Sequence, residues 1–278
     1  MGQKQDDSGA GPERVEAALT FAVDTGVKPV AESTGPAGHI RHVSGEYEDR
    51  VVPILNGRKL AEPPALEREG FTLVAAESAV ARAEEPAQHL DRYYAEVESL
   101  VKARTGAQDL HVFDHTLRTG DPVEQRDKRL REPVRVAHND YTEWSGPNRL
   151  RELLGKDPQS LAADRFAVIQ LWRPIKRPAE ADPLALCDGQ SLAADDLIAA
   201  ERRHKARVGE IYQAAYNPHQ RWIYFPEMAP EEAILFKVYD SARDGRARFV
   251  PHVSFLDPTA RADAPPRESL EVRMFAFF

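Results

Sequence analysis

Two histidines and one aspartate stand out among the 278 residues by type and spacing. His138 and Asp140 are two apart in VRVAHNDY, a run that alternates like a strand. Residues i and i+2 of a strand project to the same side, so an imidazole and a carboxylate here can hold one face of a metal. His252, in the strand-like run RFVPHVSF, would complete a two-histidine, one-carboxylate triad. That donor set leaves positions open on Fe(II) for a cosubstrate and for oxygen. A His-x-Asp step by itself is common, and a turn aspartate beside a hydrogen-bonded histidine is the plain alternative. A 2-oxo-dicarboxylate cosubstrate would need a cation for its far carboxylate. The arginine fork suits this, because it can form two parallel charge-assisted bonds. Arg267 and Arg273 follow His252 by 15 and 21 residues. The alternatives are a solvated turn residue for Arg267, and an outward-facing residue or a partner of Glu271 for Arg273.

The elements that must position these residues are mostly strands. Strand patterns fall on AALTFAV (17–23), FTLVAAES (71–78), DLHVFDHTLR (109–118), VRVAHNDY (134–141) and FAVIQLWRPI (166–175). They resume with RWIYFPE (221–227), AILFKVYD (233–240), RARFVPHVSF (246–255) and SLEVRMFAFF (269–278). HVSGEYEDRVVPIL (42–55) reads as a hairpin or two short strands, and FTLVAAES alternatively as a helix start. The clearest helix is AQHLDRYYAEVESLVKARTG (87–106), whose apolar stripe runs through Leu90, Tyr93, Tyr94, Val97, Leu100 and Val101 and stops at Gly106. A shorter helix spans 142–155, with Pro147 near its start and Gly155 at its end. SLAADDLIAAERRHKARVGEIYQAAY (191–216) reads either as a helix capped by Ser191 or as an excursion of strands. There is no βαβ repeat and no glycine-rich nucleotide loop. The 21 prolines and 16 glycines suit a β core joined by many turns.

Composition excludes several classes. The lone cysteine, Cys187, rules out an internal disulfide framework and a cysteine-rich zinc site. No base lies near it in sequence to activate a thiolate. A net charge of −8 argues against a general nucleic-acid binder. The start, MGQKQDDSGAGPE, lacks the apolar segment of a secretory signal, and no run reaches membrane-spanning length. A cytoplasmic protein with no nucleic-acid or membrane partner is expected, with residues 1–14 disordered. The apolar C-terminal MFAFF either finishes the core sheet or pairs with a partner's edge.

Seven blocks together carry a family resemblance. They are VAHNDYT (136–142), RFAVIQLWRPI (165–175), DPLALCDGQSL (182–192), WIYFPEM (222–228), FKVYDS (236–241), ARFVPHVSFLDP (247–258) and PPRESLEVR (265–273). In this order they resemble the non-haem iron hydroxylase/desaturase family that includes the cephamycin C7 hydroxylation component, fungal natural-product hydroxylase/desaturases and gibberellin desaturase-like proteins. The resemblance implies a mainly β fold, a cupin-like double-stranded β-helix or jelly roll with flanking α-helices. It covers residues 85–278 and leaves 15–84 as an N-terminal extension or substrate cover within a single domain, 15–278. It implies a dioxygenase that uses Fe(II), 2-oxoglutarate and dioxygen to hydroxylate or desaturate an unactivated C–H bond of a small molecule. His138, Asp140 and His252 would be the iron ligands. Arg267 is the first choice for 2-oxoglutarate, because its spacing from the distal histidine resembles that of many such enzymes, and Arg273 is the second. Tyr141, Arg165, Trp172, Arg173 and Tyr224 become candidates for lining a substrate pocket. Two other readings stand beside this one: a metal-dependent, non-redox cupin-like enzyme, and a non-catalytic partner component of a biosynthetic pair. A homodimer or a partner enzyme fits any of them.

Overall fold

The computed structural model describes residues 11–34, 39–155, 165–204 and 207–278. The expected disordered N-terminus lies largely outside them. Residues 12 and 13 are tied down by hydrogen bonds from the Asn56 side chain and backbone to their carbonyls.

In chain order the strands are β1 (Arg14–Val23), β2 (Val30–Thr34), β3 (His39–Val43), β4 (Glu46–Asn56), β5 (Phe71–Ala75), β6 (Asp109–Thr119) and β7 (His138–Asn139). They continue with β8 (Phe166–Pro174), β9 (Leu184–Cys187), β10 (Leu197–His204), β11 (Arg207–Ala214) and β12 (Trp222–Tyr224), then β13 (Glu232–Asp240), β14 (His252–Ser254) and β15 (Glu268–Phe277). The helices are α1 (Leu90–Thr105), α2 (Pro122–Asp127) and α3 (Ser145–Leu154). The strands form two sheets. One has the order β1-β4-β12-β9-β14-β7-β11-β10-β2-β3 and the other β5-β13-β8-β15-β6. Strands distant in sequence lie side by side in both, and the sheets face each other across a core that includes Phe71, Trp172, Leu186, Ile223, Ile234, Phe236 and Phe275. This is a jelly roll with flanking helices.

Each face of the smaller sheet has its own cover. Val168, Gln170 and Trp172 of β8 point into the space between the sheets. Ile169 and Leu171 point the other way, beneath α1, where Tyr93, Val97 and Val101 supply the buried stripe. Burial on both faces explains why β8 reads as a continuous apolar run with no alternation. α1 ends where Gly106 takes φ 72°, a left-handed turn that a glycine enters at no steric cost. α3 is seated by Gly146 against the Tyr239 ring, where an added Cβ would come within 2.7 Å.

The larger sheet curls away from the site as well. β1 pairs with β4 and reaches round to bridge Val136 and Ala215. That closure encloses a separate core of Leu19, Phe21, Ile54, Trp222, Tyr224 and Phe255. β1 and β4 thus stand at one end of the larger sheet and β2 and β3 at the other, while β5 is an edge strand of the smaller one.

Three local readings resolve. The 191–216 segment is the strand pair β10–β11. Its alanine- and charge-rich composition suits a helix, but pairing with β7 and β2 on its two sides overrides local propensity. Residues 42–55 are not a hairpin, because β3 pairs with β2 while β4 pairs with β1. The C-terminal MFAFF lies in β15 between β8 and β6, so it completes a sheet and offers no free edge. No helix among the described residues is long and apolar enough to cross a membrane.

Candidate active site

His138 is the first residue of β7 and pairs directly with His252, the first of β14. Residues directly opposite in an antiparallel pair share a face, so both imidazoles enter the space between the sheets. Their ring centroids are 4.5 Å apart. The chain turns immediately after β7 and brings the Asp140 Oδ1 to 3.5 Å from His138 Nε2. One ligand atom from each of the three lies within 4.8 Å of the others.

The surroundings ready each donor. His138 Nδ1 lies 2.8 Å from the Val136 carbonyl oxygen, and His252 Nδ1 lies 3.0 Å from that of Val250. A carbonyl can only accept, so Nδ1 carries the proton and Nε2 presents its lone pair. Burial, reinforced by the neighbouring His138, pushes the His252 imidazole down to about 3 and keeps it neutral. Asp140 Oδ2 accepts from Gln170 Nε2 at 2.6 Å and from Arg273 Nε at 2.8 Å. This leaves Oδ1 on the histidine side. Burial alone would raise the Asp140 carboxyl, but Arg273 and His138 hold it well below the usual carboxylate range.

The two histidines face a small cleft lined also by Arg118, Trp172, Arg267 and Glu271. The two arginines flagged by spacing behave differently there. Arg273 is saturated with partners: Asp140, Asp114, Thr116 and Glu271. Arg267 is buried, 2% exposed, and makes no ion pair among the described residues. Its Nη1 donates to the Asp182 carbonyl at 2.6 Å and the Ser254 hydroxyl at 3.2 Å, and its guanidinium lies 5.4 Å over the Trp172 ring. Its Nε has no partner. Burial pushes this guanidinium down to about 9.

The remaining expectations divide. Trp172 lines the cleft. Tyr141 packs in the inter-sheet core beside Asp140, its phenol pushed up to about 12 by burial. Three residues expected in the pocket are elsewhere. Arg165 sits at the far end of β8, its fork on Asp240 and Glu67 and its guanidinium 4.0 Å over the Phe278 ring. Arg173 follows Trp172, so strand alternation turns it to the other face, 5.4 Å from the Tyr93 ring of α1. Tyr224 pairs with Ala185, which pairs with Val253, placing it on the face opposite His252 and against Phe255. Cys187 is a buried free thiol in the β1-side core, its pKa pushed up by burial.

The model of a family described as an oxidoreductase/YMDC permease-like domain matches residues 19–277. The hydroxylase/desaturase CTB9 of Cercospora beticola is 32% identical over 255 residues, covering 84% of this chain and 78% of the relative. The Fe(II)/2-oxoglutarate-dependent dioxygenase nvfI of Aspergillus novofumigatus is 32% identical over 222 residues, covering 76% of this chain and 77% of that one. Among solved structures, the iron and alpha-ketoglutarate-dependent endoperoxidase NvfI superposes with a TM-score of 0.84 at 26% identity, covering 95% of this chain and 98% of the other.

The chain belongs to the Fe(II)/2-oxoglutarate-dependent dioxygenase family.

This oxygenase is an enzyme of hydroxylase/desaturase type that uses Fe(II), 2-oxoglutarate and dioxygen. The site also contains residues that motif reading passed over. Gln170 is the polar residue inside the apolar run of β8, and Arg118 is two residues beyond Thr116 on the same face of β6. An uncharged polar side chain in the middle of a buried strand was the available signal for Gln170. Nothing in the sequence marked Arg118, because it becomes part of the cleft only when β6 pairs with β15.

Proposed function

We propose that His138, Asp140 and His252 hold the iron of this oxygenase, that Arg267 binds the far carboxylate of 2-oxoglutarate, and that Gln170 and Arg273 orient Asp140. The substrate on this reading is a small molecule of natural-product metabolism with an unactivated C–H bond. The observation that carries it is the buried Arg267, which makes no ion pair among the described residues and lines the same cleft as His138 and His252. A buried charge left unpaired is strongly unfavourable, and a dicarboxylate cosubstrate supplies the missing anion. The donor set fits Fe(II), since two imidazoles and one carboxylate leave positions free for the cosubstrate and oxygen.

The chemistry supplied there would be decarboxylation of 2-oxoglutarate to succinate and carbon dioxide, coupled to oxidation of the substrate C–H bond. The chain's own residues do the positioning. The carbonyls of Val136 and Val250 fix the imidazole tautomers. Gln170 and Arg273 occupy one oxygen of Asp140 and thereby aim the other. Trp172 braces the Arg267 fork from one side and keeps water from it. No cysteine or serine nucleophile is required. We place the enzyme in the cytoplasm, a reading supported by its single unpaired cysteine.

The test is anaerobic addition of Fe(II) and 2-oxoglutarate. A visible charge-transfer band is expected in the native chain and no band in His138→Ala. Iron binding without any band would point to a non-redox metal enzyme. Full function in His138→Ala would point to a non-catalytic component.

A further inference from the structure

Arg118 lines the cleft together with His138, His252 and Arg267. It comes from β6, a strand that carries none of the metal-type donors. Across the ladder its direct partner is Ser269 of β15. Directly opposed residues of an antiparallel pair share a face, so Arg118 projects between the sheets on the side of Ser269, Glu271 and Arg273. Just beyond β6, the Gly120 amide donates to the Arg267 carbonyl at 2.8 Å. An added Cβ at Gly120 would come within 3.3 Å of the Arg267 amide nitrogen, so the two segments run close together there. Arg118 and Arg267 are therefore diagonal neighbours on adjacent strands, roughly 7–8 Å apart at the backbone. Two arginine side chains from such positions can close on one carboxylate.

The hydrogen bonds of this corner point to the same ligand. Arg118 Nη1 donates to the Glu132 carbonyl at 3.0 Å, and Arg118 makes no ion pair among the described residues. A guanidinium has five donors, so most of the fork is free for another acceptor. Ser269, opposite it, is 1% exposed, and its hydroxyl has no partner. The Nε of Arg267 has none either. Glu271 is the acid of the cleft, and it is paired with Arg273. After burial, Arg118 is the strongest influence pushing the Arg267 guanidinium down. Two like charges held side by side favour an anion between them.

We propose that Arg118 is a second binding residue for the far carboxylate of 2-oxoglutarate, closing on it from β6 while Arg267 holds it from the β15 side. The inference rests on the iron and 2-oxoglutarate reading of the cleft. It makes Arg118 a specificity-determining residue for the cosubstrate. A 2-oxo acid with a second carboxylate meets two forks, whereas one that ends in a methyl group leaves both without an anion.

The experiment titrates the whole chain, loaded anaerobically with Fe(II), with 2-oxoglutarate and with oxalate, and calorimetry reads both affinities. Oxalate chelates iron as the 2-oxo acid end does and has no far carboxylate. R118Q should weaken 2-oxoglutarate at least about tenfold, the scale of one charge-assisted pair, and leave oxalate unchanged. If R118Q does not fold, R118K carries the test. Lysine keeps the charge and loses the fork, so it should weaken 2-oxoglutarate severalfold and leave oxalate unchanged. Native 2-oxoglutarate affinity in the folded variant overturns the proposal. So does an equal loss for both ligands, which a purely structural role at the Glu132 carbonyl would produce. R267Q separates the two readings. Weakened 2-oxoglutarate in R267Q with native binding in R118Q overturns this proposal alone, and a native chain with no charge-transfer band overturns both.

Discussion

Two imidazoles and a carboxylate capture a divalent metal well only when their lone pairs are already free and aimed. In the proposed iron site the aiming is done by neighbours outside the His138, Asp140 and His252 triad. The histidine tautomers are set by the carbonyls of Val136 and Val250, each two residues earlier in the chain. The carboxylate is set by Gln170 and Arg273. Substituting such orienting partners costs about 10–100-fold in metal affinity, so Gln170→Ala should weaken iron binding by that factor in an anaerobic titration. His252→Ala removes a donor and should abolish tight binding altogether. Arg267→Gln should separate the two ligands: iron affinity near native, and the KM for 2-oxoglutarate raised about 100-fold, the equivalent of roughly 3 kcal/mol for a buried charge-assisted pair. An unchanged KM in that variant would remove Arg267 from the cosubstrate site.

At the scale of elements, the end of β13 is held by a buried ion cluster. Lys237 and Asp240 are both fully buried and joined at 3.1 Å, and Arg165 and Glu67 complete the group. Burial alone would raise the Asp240 carboxyl, but Arg165 and Lys237 hold it below its ordinary value. A carboxyl with a depressed native pKa contributes stability that is complete above the unfolded value, about 4, and is lost as pH falls through the native one. Urea unfolding should therefore show stability falling as pH drops below about 4. Asp240→Asn removes one of the two carboxylates that Lys237 pairs with, and the buried one. It should cost about 3 kcal/mol at neutral pH and flatten the acid limb of that profile. β13 also carries Tyr239, the seat of α3, and Phe236, which packs on the His252 ring at 4.8 Å. The cluster thus braces an element that packs against His252 of the proposed metal site without entering it.

At the scale of the whole molecule, the larger sheet separates two of the three cores among the described residues. The inner one, between the sheets, carries the site. The outer one, closed by β1, buries Phe21 against Trp222 with ring centroids 5.8 Å apart. Cys187 lies in that outer core. Thiol labelling therefore reports on its closure: the native chain should react with a thiol reagent only as it unfolds. A chain lacking residues 1–57 should label at once and aggregate, because the apolar face beneath β1 and β4 would be open to water. Slow labelling of the truncated chain would mean that the outer core closes without those strands.

Local pattern alone placed α1, α3 and most of the long strands, because each buries one face and its apolar spacing records which. The same patterning, with the residue blocks around it, singled out His138, Asp140, His252 and Arg267. The sequence could not decide the fate of Arg165, Arg173 and Tyr224, since a block that resembles a family says nothing about which face of a strand meets the cleft. Nor could it choose between helix and strand for β10–β11, where propensity and pairing disagree. Arg267 and Arg273 have the same chemistry and similar spacing. Only the folded chain gives Arg273 direct ion pairs and Arg267 none among the described residues, because charge compensation is a property of what converges in space and has no signature along the chain.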